Sequence, residues 1–157
     1  MAVVQNTYTE NIRPAFVGQI ADMTGYDADT RNVETAAGIG FGLAVGQGTA
    51  PKGAVLGAAT AAAFVGISIR DVTLDPRDGD KYPQNANMGV MTWGDIWVQT
   101  GGAVAVGADV TFDAATGVLS SAAAGASQFA IAGARWMSAT SGVGLAKLRL
   151  RGPTPAA

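Results

Sequence analysis

The architecture this sequence predicts is all-β: a single small β-sandwich or Greek-key barrel with an extended N-terminal arm. Three observations predict it. Short runs of β-branched and aromatic residues recur along the chain, each bounded by Gly, Asp, Asn or Pro. Few stretches combine helical periodicity with good caps. The 22 glycines among 157 residues are about twice average usage and supply the tight turns that many short strands need. A chain of this length suits one domain that buries roughly 70% of the surface its unfolded form exposes. Turn signals this frequent point to a sandwich or small barrel.

Residues 1–14 are polar with scattered apolar groups (Val3, Val4, Tyr8, Ile12) and close with Pro14, which biases Arg13 toward extended backbone. They read as an arm, and residues 15–151 as the β body. The first strand is expected over 16–20 and the next two over 32–35 and 39–45. In the latter, Ile39, Phe41, Leu43 and Val45 alternate with Gly40, Gly42 and Ala44, giving one apolar face and one nearly bare face that another sheet or backbone can approach closely. Residues 64–73 are the stretch richest in strand formers. Residues 74–83, with Pro76, Pro83, Gly79 and alternating charge, have the chemistry of an exposed turn.

Residues 90–93 and 95–99 read as strands joined or kinked at Gly94, and 109–113 with 117–119 as a hairpin around Ala114-Ala115-Thr116. Strands over 129–137 and 143–151 close the fold. In the last, Ala146, Leu148 and Leu150 point to the core while Lys147, Arg149 and Arg151 form a basic comb on the other face. Residues 152–157, with Pro153 and Pro155, are a short tail that cannot sit inside a sheet.

Composition narrows the function. Hydrophobic residues make up 48% of the chain and charged residues only 14%, against a typical ~25%. A weakly charged surface can be covered by neighbours at little desolvation cost, which hints at assembly. The net charge of -2 offers no general affinity for nucleic acid or anionic membranes. All 12 acidic residues lie at or before Asp113, whereas Arg135, Lys147, Arg149 and Arg151 follow it. The two ends of the chain thus differ in sign, either neutralising each other within the fold or marking opposite faces of an oriented subunit. The N-terminus lacks the basic start and apolar run of a signal peptide, and no apolar stretch reaches the length of a spanning helix. Synthesis without Sec-type export and no membrane segment are therefore expected.

The chemistry withheld is equally informative. Without cysteine, disulfides and thiolate sites are excluded; without histidine, so are the commonest general base, the usual nucleophile systems and the standard zinc and non-haem iron ligand sets. Ser68 lies in Gly66-Ile67-Ser68-Ile69-Arg70, which lacks the second glycine of a nucleophile elbow, and reads as a strand serine. Asp71, Asp75, Asp78 and Asp80 do not match a calcium loop, because Pro76 and Leu74 fall on two ligand positions; with Arg70, Arg77 and Lys81 nearby they read as a self-neutralised loop. The glycine run 38–48 places Leu43 or Val45 where the third glycine of a dinucleotide fingerprint belongs. Trp93 and Trp97, four apart, share a face of a regular strand and with Trp136 could form a contact platform, although core packing competes with that reading. No cofactor and no metal are expected.

The stretches Phe16-Val17-Gly18-Gln19-Ile20-Ala21-Asp22, the glycine-rich run to Gly48, residues 64–73, Gly94-Asp95-Ile96-Trp97-Val98, the hairpin from Gly107-Ala108-Asp109-Val110 to Gly117, and Ile131-Ala132-Gly133-Ala134-Arg135 follow one another in a set order. In that order they resemble the structural cement, or decoration, proteins of tailed bacteriophages. None is a catalytic signature. The resemblance implies a protein made in the bacterial host cytoplasm and added to the outer surface of the capsid, where it clamps neighbouring major capsid subunits. The expected partners are the major capsid protein and further copies of the chain, as a dimer or trimer, with no direct contact to nucleic acid. No motif of the family carries the contact residues. From exposed chemistry alone the candidates are Tyr8, Ile12 and Arg13 in the arm, Trp93 and Trp97, and Lys147, Arg149 and Arg151. The competing class is a carbohydrate-binding or adhesive β-sandwich gripping a glycan with Trp93, Trp97 and acidic loop residues; a carboxylate-only lyase or hydrolase is a distant third.

Overall fold

The computed structural model of the protein describes residues 15–23, 25–74 and 79–151. The expected arm (1–14) and tail (152–157), with Tyr8, Ile12, Arg13, Asp75 and Asp78, lie outside the described residues. The chain forms β1 (Asp27–Val33), β2 (Ile39–Gly40), β3 (Ala44–Gln47), β4 (Gly53–Leu56), β5 (Phe64–Ser68), β6 (Lys81–Tyr82), β7 (Asn87–Gln99), β8 (Asp109–Asp113), β9 (Leu119–Ser120), β10 (Gln128–Trp136) and β11 (Leu145–Leu150). The helix described is one 3-10 turn, Ala61–Ala63, capped by Thr60. The all-β expectation is met.

A nine-stranded sheet runs β1-β4-β3-β5-β7-β11-β10-β8-β9, and β1 also pairs with β7. That second pairing closes β1, β4, β3, β5 and β7 into a small barrel around Val33, Ile39, Phe41, Val45, Tyr82, Met88 and Val90. Beyond β7 the sheet curls again. Thr100, directly after β7, bridges Leu119 of β9, and the Gly101 amide donates to the Leu119 carbonyl at 2.7 Å. Inside this second ring lie Ile96, Val98, Val110, Phe112, Leu119, Trp136, Ala146 and Leu148. Ala44 and Ile67, although carried by strands of the first ring, belong to this second core, and Phe64 of β5 packs on Phe112 at 5.3 Å. The two rings are thereby packed on each other.

Strand β7 serves both rings because its pleat changes hand midway. Met88 and Val90 enter the first core; Met91, Ile96 and Val98 enter the second. Opposite this change the β1 register slips, with Asp27 facing Trp93 and Ala28 facing Met91, which leaves Thr92 as the extra residue of a β-bulge. The two strands expected either side of Gly94 are therefore one continuous strand, bulged at Thr92.

Several other expected elements are corrected. Residues 16–20 are not a strand. Gly18 has φ +80°, the Gln19 amide donates to the Phe16 carbonyl, and one bridge, Ile20 to Ile96, follows. A left-handed residue ends extended pairing there. The strand expected over 39–45 is broken at Phe41-Gly42, where Gly42 has φ +66°. Its bare face is used as expected: a Cβ on Gly42 would lie 2.7 Å from Val17 Cγ1 and 3.1 Å from the Gly18 amide nitrogen. Strand β5 stops at Ser68, because Arg70 turns its amide to the Gly18 carbonyl (2.7 Å) and Asp71 accepts the Thr73 amide (2.8 Å). Within the expected loop 74–83, Lys81 and Tyr82 form β6 against β2. The strand expected over 32–35 overlaps only the last two residues of the longer β1, which ends at Val33. The hairpin of β8 and β9 is as expected, its turn closed by Asp113 Oδ1, which accepts from the Ala115 and Thr116 amides.

Candidate functional site

The surface that gathers most of the sequence candidates is the outer face of β7 and β11. Antiparallel register sets Trp97 opposite Lys147, Asp95 opposite Arg149 and Gly94 opposite Leu150. Alternation then puts Ile96, Val98, Ala146 and Leu148 in the core and the polar set outside. The comb of β11 is real, but it is not a row of equivalent free cations. Arg149 grips Asp95 with two parallel bonds, Nε to Oδ1 at 2.7 Å and a terminal nitrogen to Oδ2 at 2.9 Å. This is the bidentate geometry that fixes a guanidinium in plane. The Asp95 carboxylate raises the Arg149 pKa above its ordinary value, first through these hydrogen bonds and then by direct attraction. Lys147 is half-buried, with its amide held by Ser138 Oγ at 2.8 Å, and Arg151 is exposed at the strand end. Arg135, the remaining late cation, pairs with Asp109.

Beside the Arg149–Asp95 pair, Trp93, Gly25, Asp22 and Arg151 line a recess of about 210 Å3. Trp93 is 46% exposed and Tyr26 43%, while Met23 in the same loop is 82% exposed. Two glycines make room for the aromatic groups. A Cβ on Gly25 would lie 3.0 Å from Trp93 Cζ3, and one on Gly94, whose φ is +127°, would lie 2.8 Å from Tyr26 Cβ. Exposed Trp and Arg on a rigid strand pair, with Tyr and Met in the adjoining loop, is the composition that protein-binding hot spots favour.

The structure divides the three tryptophans. Trp93 is open and Trp97 half-buried, whereas Trp136 is fully buried on the inner face of β10 and takes no part in a surface platform. Its register partner is Leu148, itself a core residue, so the inner face of the sheet claims it. Sequence reading missed Met23 and Tyr26. The available signal was two large apolar side chains in a glycine-containing loop without strand alternation. Arg70 and Asp80 of the acidic segment form an ion pair at 3.1 Å, and Asp71 is engaged by Thr73. Among the described residues there is no group of three or more side chains that could hold a metal ion, and no helix long and apolar enough to cross a membrane. Ser68 is fully buried and structural, its hydroxyl donating to the Gly40 carbonyl at 2.7 Å.

Comparison with known proteins agrees with this picture. Residues 4–151 match the family model described as structural cement protein (E217 gp24/Pam3 gp6). Among solved structures, a chain of the capsid of Myoviridae phage XM1 is similar in fold, with a TM-score of 0.75 at 14% identity, over 96% of this chain and 98% of that one. No curated protein matches. The chain belongs to the structural cement protein family and is a structural, capsid-associated component of the phage virion.

Proposed function

We propose that this cement protein binds the outer surface of a phage capsid and clamps neighbouring major capsid subunits, acting by contact alone and without catalysis. The observation that carries the reading is the exposed Trp93 on β7, set in one recess with the Arg149–Asp95 pair and flanked by the loop that carries Met23 and Tyr26, on a cement-family fold. Trp93 is the anchor, since a half-exposed indole gains most from being covered. Arg149, fixed by Asp95, presents a set geometry more than a mobile charge. Lys147 and Arg151, without ion-pair partners among the described residues, supply the cations, and Trp97 supports Lys147 across the ladder. Through Tyr8, Ile12 and Arg13 the arm reaches a neighbouring capsid or cement subunit, and self-association as a dimer or trimer multiplies the contact.

The test is occupancy of purified capsids by the Trp93→Ala variant, compared with thermal unfolding of the same protein. A hot-spot anchor requires affinity to fall about ten-fold or more with the unfolding midpoint nearly unchanged. Full occupancy by the variant refutes Trp93 as the anchor. Binding of a glycan by the isolated protein, lost in the same variant, would instead favour an adhesive module.

A further inference from the structure

A second surface, not used by the reading above, is an open groove of about 940 Å3 between the two rings. Its walls are Phe16, Phe41 and Leu43 on one side and Val118, Val143 and Leu145 on the other. Val143 is 66% exposed and Phe16 50%. Its backbone is glycine-rich, with Gly40, Gly42, Gly101 and Gly144 along the lining, so another main chain can come close. One ion pair, Arg70–Asp80, stands in the lining, with the Arg70 guanidinium 5.3 Å from the Phe16 ring centre and 4.9 Å from that of Phe41. A small-molecule site of this size normally has several convergent polar groups; this groove offers little besides that pair, Gln99 and Thr100. Its chemistry fits an extended peptide with large apolar side chains on one face.

We infer that the groove receives residues 1–14 of a second copy of this chain. The inference rests on the self-association proposed above and names the surface that carries it. Extended, Val4, Tyr8, Glu10 and Ile12 would share one face at the period of a strand, with Glu10 offering a charge complementary to Arg70. The arm enters the described body at Ala15, and residues 15–17 already form part of the groove wall. Pro14 fixes its own φ and biases Arg13 to extended backbone, the geometry that an added strand needs. Fourteen extended residues reach on the order of 45 Å, enough to cross to a neighbour.

The chain has no cysteine, so a clean cross-linking test is available in the full-length protein without capsids. A Tyr8→Cys chain is mixed with a Val143→Cys chain and treated with a short bis-maleimide; the control mixes Tyr8→Cys with Met23→Cys, which is 82% exposed and outside the groove lining. The expected result is a covalent heterodimer at least about ten-fold more abundant in the first mixture, with Val143→Asp weakening self-association about ten-fold or more at an unchanged unfolding midpoint. Equal yields in the two mixtures would overturn the inference. So would a Tyr8→Cys, Val143→Cys double variant that bridges within one chain when diluted, or self-association insensitive to Val143→Asp. Because no capsid is present, failure here leaves the Trp93 occupancy test standing on its own.

Discussion

Ser68→Ala removes one oxygen atom and tests how the groove wall is held. Ser68 is fully buried at the end of β5. Its hydroxyl donates to the Gly40 carbonyl at 2.7 Å and accepts the Leu43 amide at 3.0 Å. Its backbone amide donates to the Leu43 carbonyl at 3.0 Å, and its carbonyl accepts the Gly42 amide at 2.9 Å. The turn between β2 and β3 is thus pinned at four points, two through the side chain. Alanine keeps the backbone pair and strands the Leu43 amide and the Gly40 carbonyl. A fully buried orphan costs about 1–3 kcal/mol. Leu43 and Gly40 are half-buried, so water relieves part of that, and the void left by a hydroxyl is small. The expected loss is about 2 kcal/mol, equivalent to roughly 4–8 °C in the unfolding midpoint for a protein of this size. Circular dichroism melts and urea titrations measure it, with the denaturant slope unchanged. A midpoint within about 1 °C of the parent protein would show that the hydroxyl is dispensable and that the turn is held by backbone alone.

Stability should be flat from about pH 5 to about pH 9.5 and fall on either side. Hydrogen bonds hold four carboxyls below their ordinary values: Lys52 acts on Asp29, the Ala50 and Thr49 amides on Glu34, Thr73 on Asp71 and Thr116 on Asp113. Their contribution is complete above the unfolded values near 4 and is lost as pH falls through the lower folded ones. Tyr82 has the opposite sign. Burial and the nearby Asp71 charge push its phenol up to about 12, so its contribution is full below the ordinary value of 10 and is lost as pH rises toward 12. With no histidine in the chain, a step in unfolding midpoint between pH 6 and 7.5 would contradict this account. Gly18→Ala should cost about 2 kcal/mol or more, since φ is +80° and the new Cβ would sit 2.8 Å from Phe41 Cβ and 2.9 Å from the Arg70 amide nitrogen. Gly102→Ala, with nothing within 4 Å, should be neutral or slightly stabilising in the same melts; equal losses at both sites would refute the steric reasoning.

Local pattern carried the elements whose partners are near in sequence. Strict alternation in β11 assigned Ala146, Leu148 and Leu150 to the core, and Asp113 with Gly117 marked the β8–β9 turn. Pairing across long separations was not legible. Arg149 looks like a free cation until its register opposite Asp95, 54 positions earlier, is known. Trp93 and Trp136 have the same composition signal and opposite fates, because face assignment depends on a bulge at Thr92 in one case and on the inner side of β10 in the other. Residues 16–20 have a strand-like composition, yet Gly18 adopts a left-handed turn that lets its backbone meet Phe41, Gly42 and Arg70. The family, by contrast, was readable from the order of the stretches, which loop geometry does not disturb.

The long strand β7 connects these features mechanically. Its first half is paired on both edges, with Met91 facing Ala28 of β1 on one side and Ile67 of β5 on the other. Its second half is paired with β11 along one edge and with the N-terminal segment along the other. There the Gly18 and Ala21 amides donate to the Trp97 and Asp95 carbonyls, and the Trp97 amide donates to Gln19. The residues that follow the arm are therefore hydrogen-bonded to the same strand that carries Trp93. A pull on the arm and a pull on the Trp93 surface would both load β7, whose two halves carry residues of both cores. A two-ring body sharing one strand distributes such loads without exposing an unpaired edge of β7. For a protein proposed to hold neighbouring subunits together, both proposed attachment points would then load the most heavily paired element of the fold.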